Sequence, residues 1–122
     1  MVLASQQFEA LKHLTENWDG YGAAPPDHDI VDLATALARL MEAALRKTQE
    51  GAPALHVSPT RIGGVLLEWE DNAAEHEIEI HPDRSFGFLD RNKSTGQIST
   101  KKIAAFPIQL DFLNALQKLI AA

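Results

Sequence analysis

Residues 65–81 constrain the fold more than any other part of the chain. In Val65-Leu66-Leu67-Glu68-Trp69-Glu70, and again in Glu75-His76-Glu77-Ile78-Glu79-Ile80-His81, carboxylates alternate with apolar residues on either side of Asp71-Asn72. Period-two alternation belongs to a strand with one buried face, and two such runs around a short polar turn predict an antiparallel hairpin over 63–70 and 75–81. Val65, Leu67 and Trp69 then share one face with Ile78 and Ile80 on the matching face. A turn centred on Asn72-Ala73 sets Glu68 across from Glu77, with Glu70 and Glu79 close by. Like charges opposed across strands cost stability. The row therefore calls for a basic neighbour, a metal or a partner.

The rest of the chain supplies helices and further strands. Phe8, Leu11, Leu14 or Thr15, and Trp18 recur at helical spacing, which predicts an amphipathic helix from Ala4 to Glu16. The glycines and prolines of residues 17–26 interrupt it. A second helix is expected to open near Asp27 or Asp29, whose side chains can cap free N–H groups. Its apolar stripe reads Ile30, Leu33, Leu37, Leu40, Met41, Ala44 and Leu45, and Gly51-Ala52-Pro53 ends it. Leu55-His56-Val57 reads as a short strand, residues 85–89 as a fourth and 97–103 as a fifth, with Lys101 and Lys102 defending an edge. Arg91 to Gly96 reads as a polar loop. Pro107 suits the first turn of a last helix, with Phe112, Leu113, Leu116, Leu119 and Ile120 on its apolar face. The expected architecture is one α+β domain over residues 1–122. It comprises two N-terminal helices, an antiparallel sheet of four to five strands and one C-terminal helix, with the helices on one sheet face. The acids are expected on the other, solvated face.

Charge and composition narrow the function classes. The net charge of −6 argues against direct nucleic-acid binding, which normally shows a basic patch. No apolar run approaches the length of a membrane span. The first residues lack the basic and apolar regions of a secretory signal, so a cytoplasmic protein is the simplest expectation. The chain has no cysteine, which excludes disulfides and thiolate chemistry. The charge is also unevenly spread. Glu68, Glu70, Asp71, Glu75, Glu77, Glu79 and Asp83 lie between Arg61 and Arg84 with no Lys or Arg among them. Arg84, Arg91, Lys93, Lys101 and Lys102 then follow against Asp90 alone. If Arg91, Lys101 and Lys102 lie beside Glu68, Glu77 and Glu79, the acidic row is neutralised from within. If they point elsewhere, it is a docking surface.

Other constellations carry less chemistry. Glu77, Glu79 and His81 share parity on one strand and offer oxygen and imidazole ligands, but without the compact spacing of a helical metal motif, so no metal or cofactor is expected. Paired carboxylates can do acid/base work on a sugar, yet an open sheet face lacks the enclosure that raises a carboxyl pKa. No serine sits in a nucleophile elbow, Gly63-Gly64 lacks the rest of a phosphate loop, and the histidines are scattered. His76 reads as a strand residue facing core or rim, not as a general base. In the loop, Trp18 and Tyr21 are expected to plug the gap between helices and sheet, with Asn17 and Asp19 bonding nearby N–H groups and Gly20 and Gly22 taking positive φ. Catalysis is not expected.

Asn17-Trp18-Asp19-Gly20-Tyr21-Gly22-Ala23, followed by Gly63-Gly64-Val65-Leu66-Leu67-Glu68-Trp69 and Glu77-Ile78-Glu79-Ile80, resembles a group of small bacterial and phage-borne proteins. These share a Trp-Asp-Gly-Tyr-Gly-Ala loop, a helix, and a Leu-Glu-Trp strand before a Glu-Ile-Glu-Ile strand. The resemblance, over residues 10 to 90, implies the order of elements and a bacterial or phage origin, and it carries over no catalytic residue. Some members look like partner-binding accessory proteins of mobile elements, such as antitoxins. The leading expectation is a non-enzymatic binding protein that engages a basic partner protein through Glu68, Glu70, Glu77 and Glu79. The alternatives are a domain that self-associates through an edge strand or the last helix, and a metal or carbohydrate site on the Glu/His face.

Overall fold

The computed structural model describes residues 3–48 and 55–103. Helix α1 covers Leu3–Leu11 and helix α2 covers His28–Thr48; strands β1 His56–Pro59, β2 Val65–Glu70, β3 Ala74–Ile80, β4 Phe86–Asn92 and β5 Ile98–Ile103 follow. The strands form one antiparallel meander in chain order. The class is α+β. The helix expected from Pro107 lies outside the described residues.

Helix α1 stops earlier than its apolar periodicity suggests. Lys12, His13 and Leu14 donate to the carbonyls three residues back, Glu9, Ala10 and Leu11, at 3.2–3.3 Å. That tightening closes the helix. Lys12 then pairs with Asp32 of α2 at 2.6 Å, and its carbonyl meets His28 Nε2 at 3.1 Å. Tertiary partners at the second helix thus take over from helical bonds.

Helix α2 opens where the acidic caps were expected. The Asp27 carbonyl accepts from Val31 N at 3.0 Å, and Asp29 stands in the first turn, where a carboxylate suits the helix dipole. Its buried stripe is Ile30, Val31, Ala34, Leu37, Ala38 and Met41. This is a rotation from the expected one: Leu40 is an exposed large hydrophobe and Leu33 only packs partly against the core. The small Ala34 and Ala38 face inward, so the helix buries its flattest side, with larger residues on either flank.

The hairpin follows the alternation closely. Leu67 faces Ile78, Trp69 faces His76 and Glu68 faces Glu77, the register set by a turn at Asn72-Ala73. Asp71 Oδ1 accepts from Ala73 N and Ala74 N, both at 2.8 Å, and caps that turn. Val57, Val65, Leu67, Trp69, Ile78, Ile80, Phe86, Phe88 and Ile103 are buried, in one cluster with Phe8, Leu11 and the stripe of α2. Gln7 Oε1 on α1 accepts from Val57 N at 2.9 Å, tying the first helix to the edge strand.

Several strand boundaries differ from the sequence expectation; β1, for one, runs His56–Pro59 instead of stopping at Val57. Strand β4 runs on through Asp90 into Arg91 and Asn92, the two residues read as the start of a polar loop, because these three pair with His76, Glu75 and Ala74 of β3. Ser85 falls before β4, in a turn where its N–H and hydroxyl both donate to Asp83 Oδ1. Gly64 has a packing role: a Cβ there would come within 2.5 Å of the Ile80 carbonyl oxygen and 2.9 Å of Thr60 Oγ1.

Candidate functional site

The carboxylates of the hairpin line the sheet face opposite the buried cluster, in two-residue steps along β2 and β3. Glu68 and Glu77 are direct cross-strand neighbours, as are Glu70 and Glu75, while Glu79 faces Leu66. The outer members of the row find partners. Glu70 pairs with Lys93 Nζ at 3.0 Å, Glu75 with Arg91 Nη1 at 3.1 Å, and Glu79 with His81 Nδ1 at 3.2 Å. Glu68 and Glu77, in the centre, have no ion pair among the described residues.

The question of internal neutralisation therefore divides by position. Arg91 reaches the row, at Glu75. Lys102 faces Gly87, and Gly87 faces Glu79, so two strand spacings of ~4.8 Å separate Lys102 from the nearest acid along that row. Lys101 faces Phe88 and so has the parity of the buried side. Lys93, read as a loop residue, supplies the cation that neither edge lysine does. The cost falls on Glu77. Partial burial, then Glu68, Glu79 and Glu75 in that order, push its carboxyl above the ordinary glutamate value. Beside it lies a hollow of about 390 Å³, floored by Gly87 and Leu89 between Glu77, Glu79 and His81 on one side and Lys102 on the other.

Among the described residues no three His, Asp or Glu side chains gather as ligands.

His76 lies on the opposite parity, at the rim of the buried side, in surroundings that sequence reasoning placed only coarsely. Its Nδ1 is 2.5 Å from Asp90 Oδ1 and its Nε2 3.1 Å from Asp71 Oδ2, and its ring stacks on Trp69 at 5.1 Å between centroids. Desolvation works against protonation, but the two carboxylates outweigh it and raise the His76 pKa. Asp71 is held below the ordinary aspartate value: burial opposes this, and His76 with the Ala74 and Ala73 amides overcomes it. With a carboxylate on each nitrogen, the ring has no lone pair free to take a proton from a substrate. It clamps the hairpin turn to β4.

The Asn17–Pro26 loop is built as its residue types suggest, with one reversal. Asp19 Oδ1 accepts from Tyr21 N at 2.8 Å and Ala23 N at 3.1 Å, and Asn17 Oδ1 accepts from Gly22 N at 2.6 Å. Gly20 and Gly22 take φ of 77° and 85°. Half-buried Trp18 donates its indole N–H to the Ala24 carbonyl at 2.9 Å. Arg61, not singled out from the sequence as a loop residue, donates to Asp19 Oδ2 at 2.7 Å and to the Tyr21 carbonyl. Tyr21 does not plug the core: it is 83% exposed. Asp19 and Asn17 satisfy the loop's N–H groups, and Arg61, closing on Asp19 and the Tyr21 carbonyl, holds the loop with the tyrosine outward. Arg61 carried a weak signal as the lone base before a long acidic stretch.

No family model matches this chain. Neither the curated proteins nor the solved structures contain a match to it. Among the described residues no helix is long and apolar enough to cross a membrane.

Proposed function

We propose that the protein is a small, non-enzymatic, cytoplasmic binding protein whose acidic sheet face engages a basic partner protein, in the manner of an antitoxin, an immunity protein or a phage-encoded inhibitor. The observation that carries this reading is the opposed Glu68–Glu77 pair, which has no ion pair among the described residues on a face where Glu70 pairs with Lys93 and Glu75 with Arg91. A Lys or Arg arriving from a partner relieves the repulsion on Glu77, and does so only in the complex. Such complementarity mostly speeds association and selects the partner. The hollow over Gly87 gives a neighbouring side chain of the partner a place beside the acids. In this reading the helices, including one beginning at Pro107, all pack behind the sheet and leave the acidic face open.

The test compares wild-type protein with a Glu77→Lys/Glu79→Lys variant as bait in extracts of the native host. Circular dichroism serves as the check that the fold is kept. A basic protein retained by the wild type and lost by the variant supports the reading. Equal capture by both baits sinks it.

A further inference from the structure

Among the described residues no pocket receives Tyr21, which stands exposed on its loop. The loop that holds it is rigid by construction: five hydrogen bonds from Asn17, Asp19 and Arg61 side chains reach into residues 19–23. On either side of Tyr21 the glycines have open space, with nothing within 4 Å of where a Cβ would stand. The ring is thus approachable from both flanks. The Ala24–Ile62 backbone bridge brings Ile62 to the same loop, and Ile62 is itself 62% exposed. A tyrosine, an isoleucine and an arginine on a preorganised frame have the composition of an interface centre, since aromatic and Arg side chains dominate such hot spots.

The patch also carries both halves of one interaction. Arg61 spends the edge of its guanidinium, Nε and Nη2, on Asp19 and the Tyr21 carbonyl, and its side chain stays 61% exposed. The flat face of a guanidinium stacks on aromatic rings. A two-fold axis sets residue i of one copy on residue j of the other, and j on i. Such an axis through this patch lays each Tyr21 ring over the Arg61 of its partner, with the two Ile62 side chains meeting between. A surface holding a ring and a cation side by side is its own complement. We propose that the Tyr21–Arg61–Ile62 surface is a homodimer interface, distinct from the acidic face and leaving that face free. Two tyrosine side chains bury about 300–500 Å². That is well under the ~1,200 Å² of a standard interface, so the dimer is weak and fills only at high concentration.

Tyr21 is the single tyrosine of the chain, which makes it a selective reporter. The full chain labelled with 3-fluorotyrosine is followed by fluorine NMR and sedimentation equilibrium between about 10 µM and 1 mM, a span suited to weak association. The expected result is a weight-average mass that climbs toward twice that of the chain, with the fluorine resonance moving on the same curve. Sedimentation of unlabelled Tyr21→Ser and Ile62→Ser proteins is expected to show association weakened at least about tenfold. Both side chains are exposed, so their urea midpoints should match the wild type. A strict monomer to the highest concentration, or a dimer indifferent to both substitutions, overturns the proposal.

Discussion

Replacing His76 with glutamine should erase most of the pH dependence of stability between weakly acidic and alkaline solution. In the folded protein each ring nitrogen faces a carboxylate, and only the imidazolium can donate to both. The folded-state pKa is raised above the ordinary value of 6.5. Below the unfolded pKa the proton is bound in both states, and the clamp contributes in full. As pH rises through the folded pKa the proton leaves, one carboxylate is left facing a lone pair, and that contribution is lost. A hydrogen bond to a charged group is worth about 1.5–3 kcal/mol. The His76 side chain is only 14% exposed, so water recovers little of it. With a urea m-value of about 1–2 kcal/mol/M for a domain of this size, the midpoint should fall by roughly 1–2 M between about pH 5.5 and pH 9. His76→Gln should start lower at the acidic end and change little across that range. At the other extreme, Asp71 is depressed, so stability should also decline as pH falls through its folded value. The optimum therefore lies on the mildly acidic side of neutrality. Urea melts at several pH values decide the matter. Parallel wild-type and His76→Gln curves, offset but with the same pH slope, would refute the clamp.

The other predictions concern separate elements. Gly64→Ala should destabilise by about 2 kcal/mol or more, read from the urea midpoint, because the new methyl meets the Ile80 carbonyl at 2.5 Å within a buried ladder. Glu77→Gln should stabilise by a few tenths of a kcal/mol near neutral pH, since cross-strand repulsion on a screened face is modest. Because the Glu77 pKa is raised, that gain should shrink as pH falls through the folded value and the carboxyl takes up its proton; a gain that does not shrink in acid would mean repulsion is not its cause. Asp19→Ala should leave the sheet amides protected while exchange at the Tyr21 and Ala23 amides quickens, measured by hydrogen exchange, because Asp19 Oδ1 is the acceptor for both.

What could be read ahead of the structure depended on whether local pattern or distant partners set each feature. The hairpin register was legible because period-two alternation on both strands leaves one way to bury Val65, Leu67, Trp69, Ile78 and Ile80 together. Helix α2 was legible as an element but not in rotation. Alanine scores weakly as apolar, yet Ala34 and Ala38 face the core where a flat helix side is needed, and Leu40 is left outside. The end of α1 was misjudged because Lys12 finds Asp32 and His28, residues far along the chain.

The candidate site divides in the same way. The sequence by itself determined that an acidic row exists, that Glu68 opposes Glu77, and that Asn17, Asp19, Gly20 and Gly22 build a loop, since these follow from side-chain parity and local hydrogen bonding. Only the tertiary structure decided which acids are neutralised, because Lys93, Arg91 and Lys102 are placed by strand length and cross-strand order. Charge counting alone would have let Lys101 and Lys102 serve. Only the fold turned Tyr21 outward, once Arg61, forty residues away, closed on the loop from the β1–β2 connection. And only the fold joined Asp71, His76 and Asp90, because a hydrogen-bonded cluster across two turns needs the register of three strands at once.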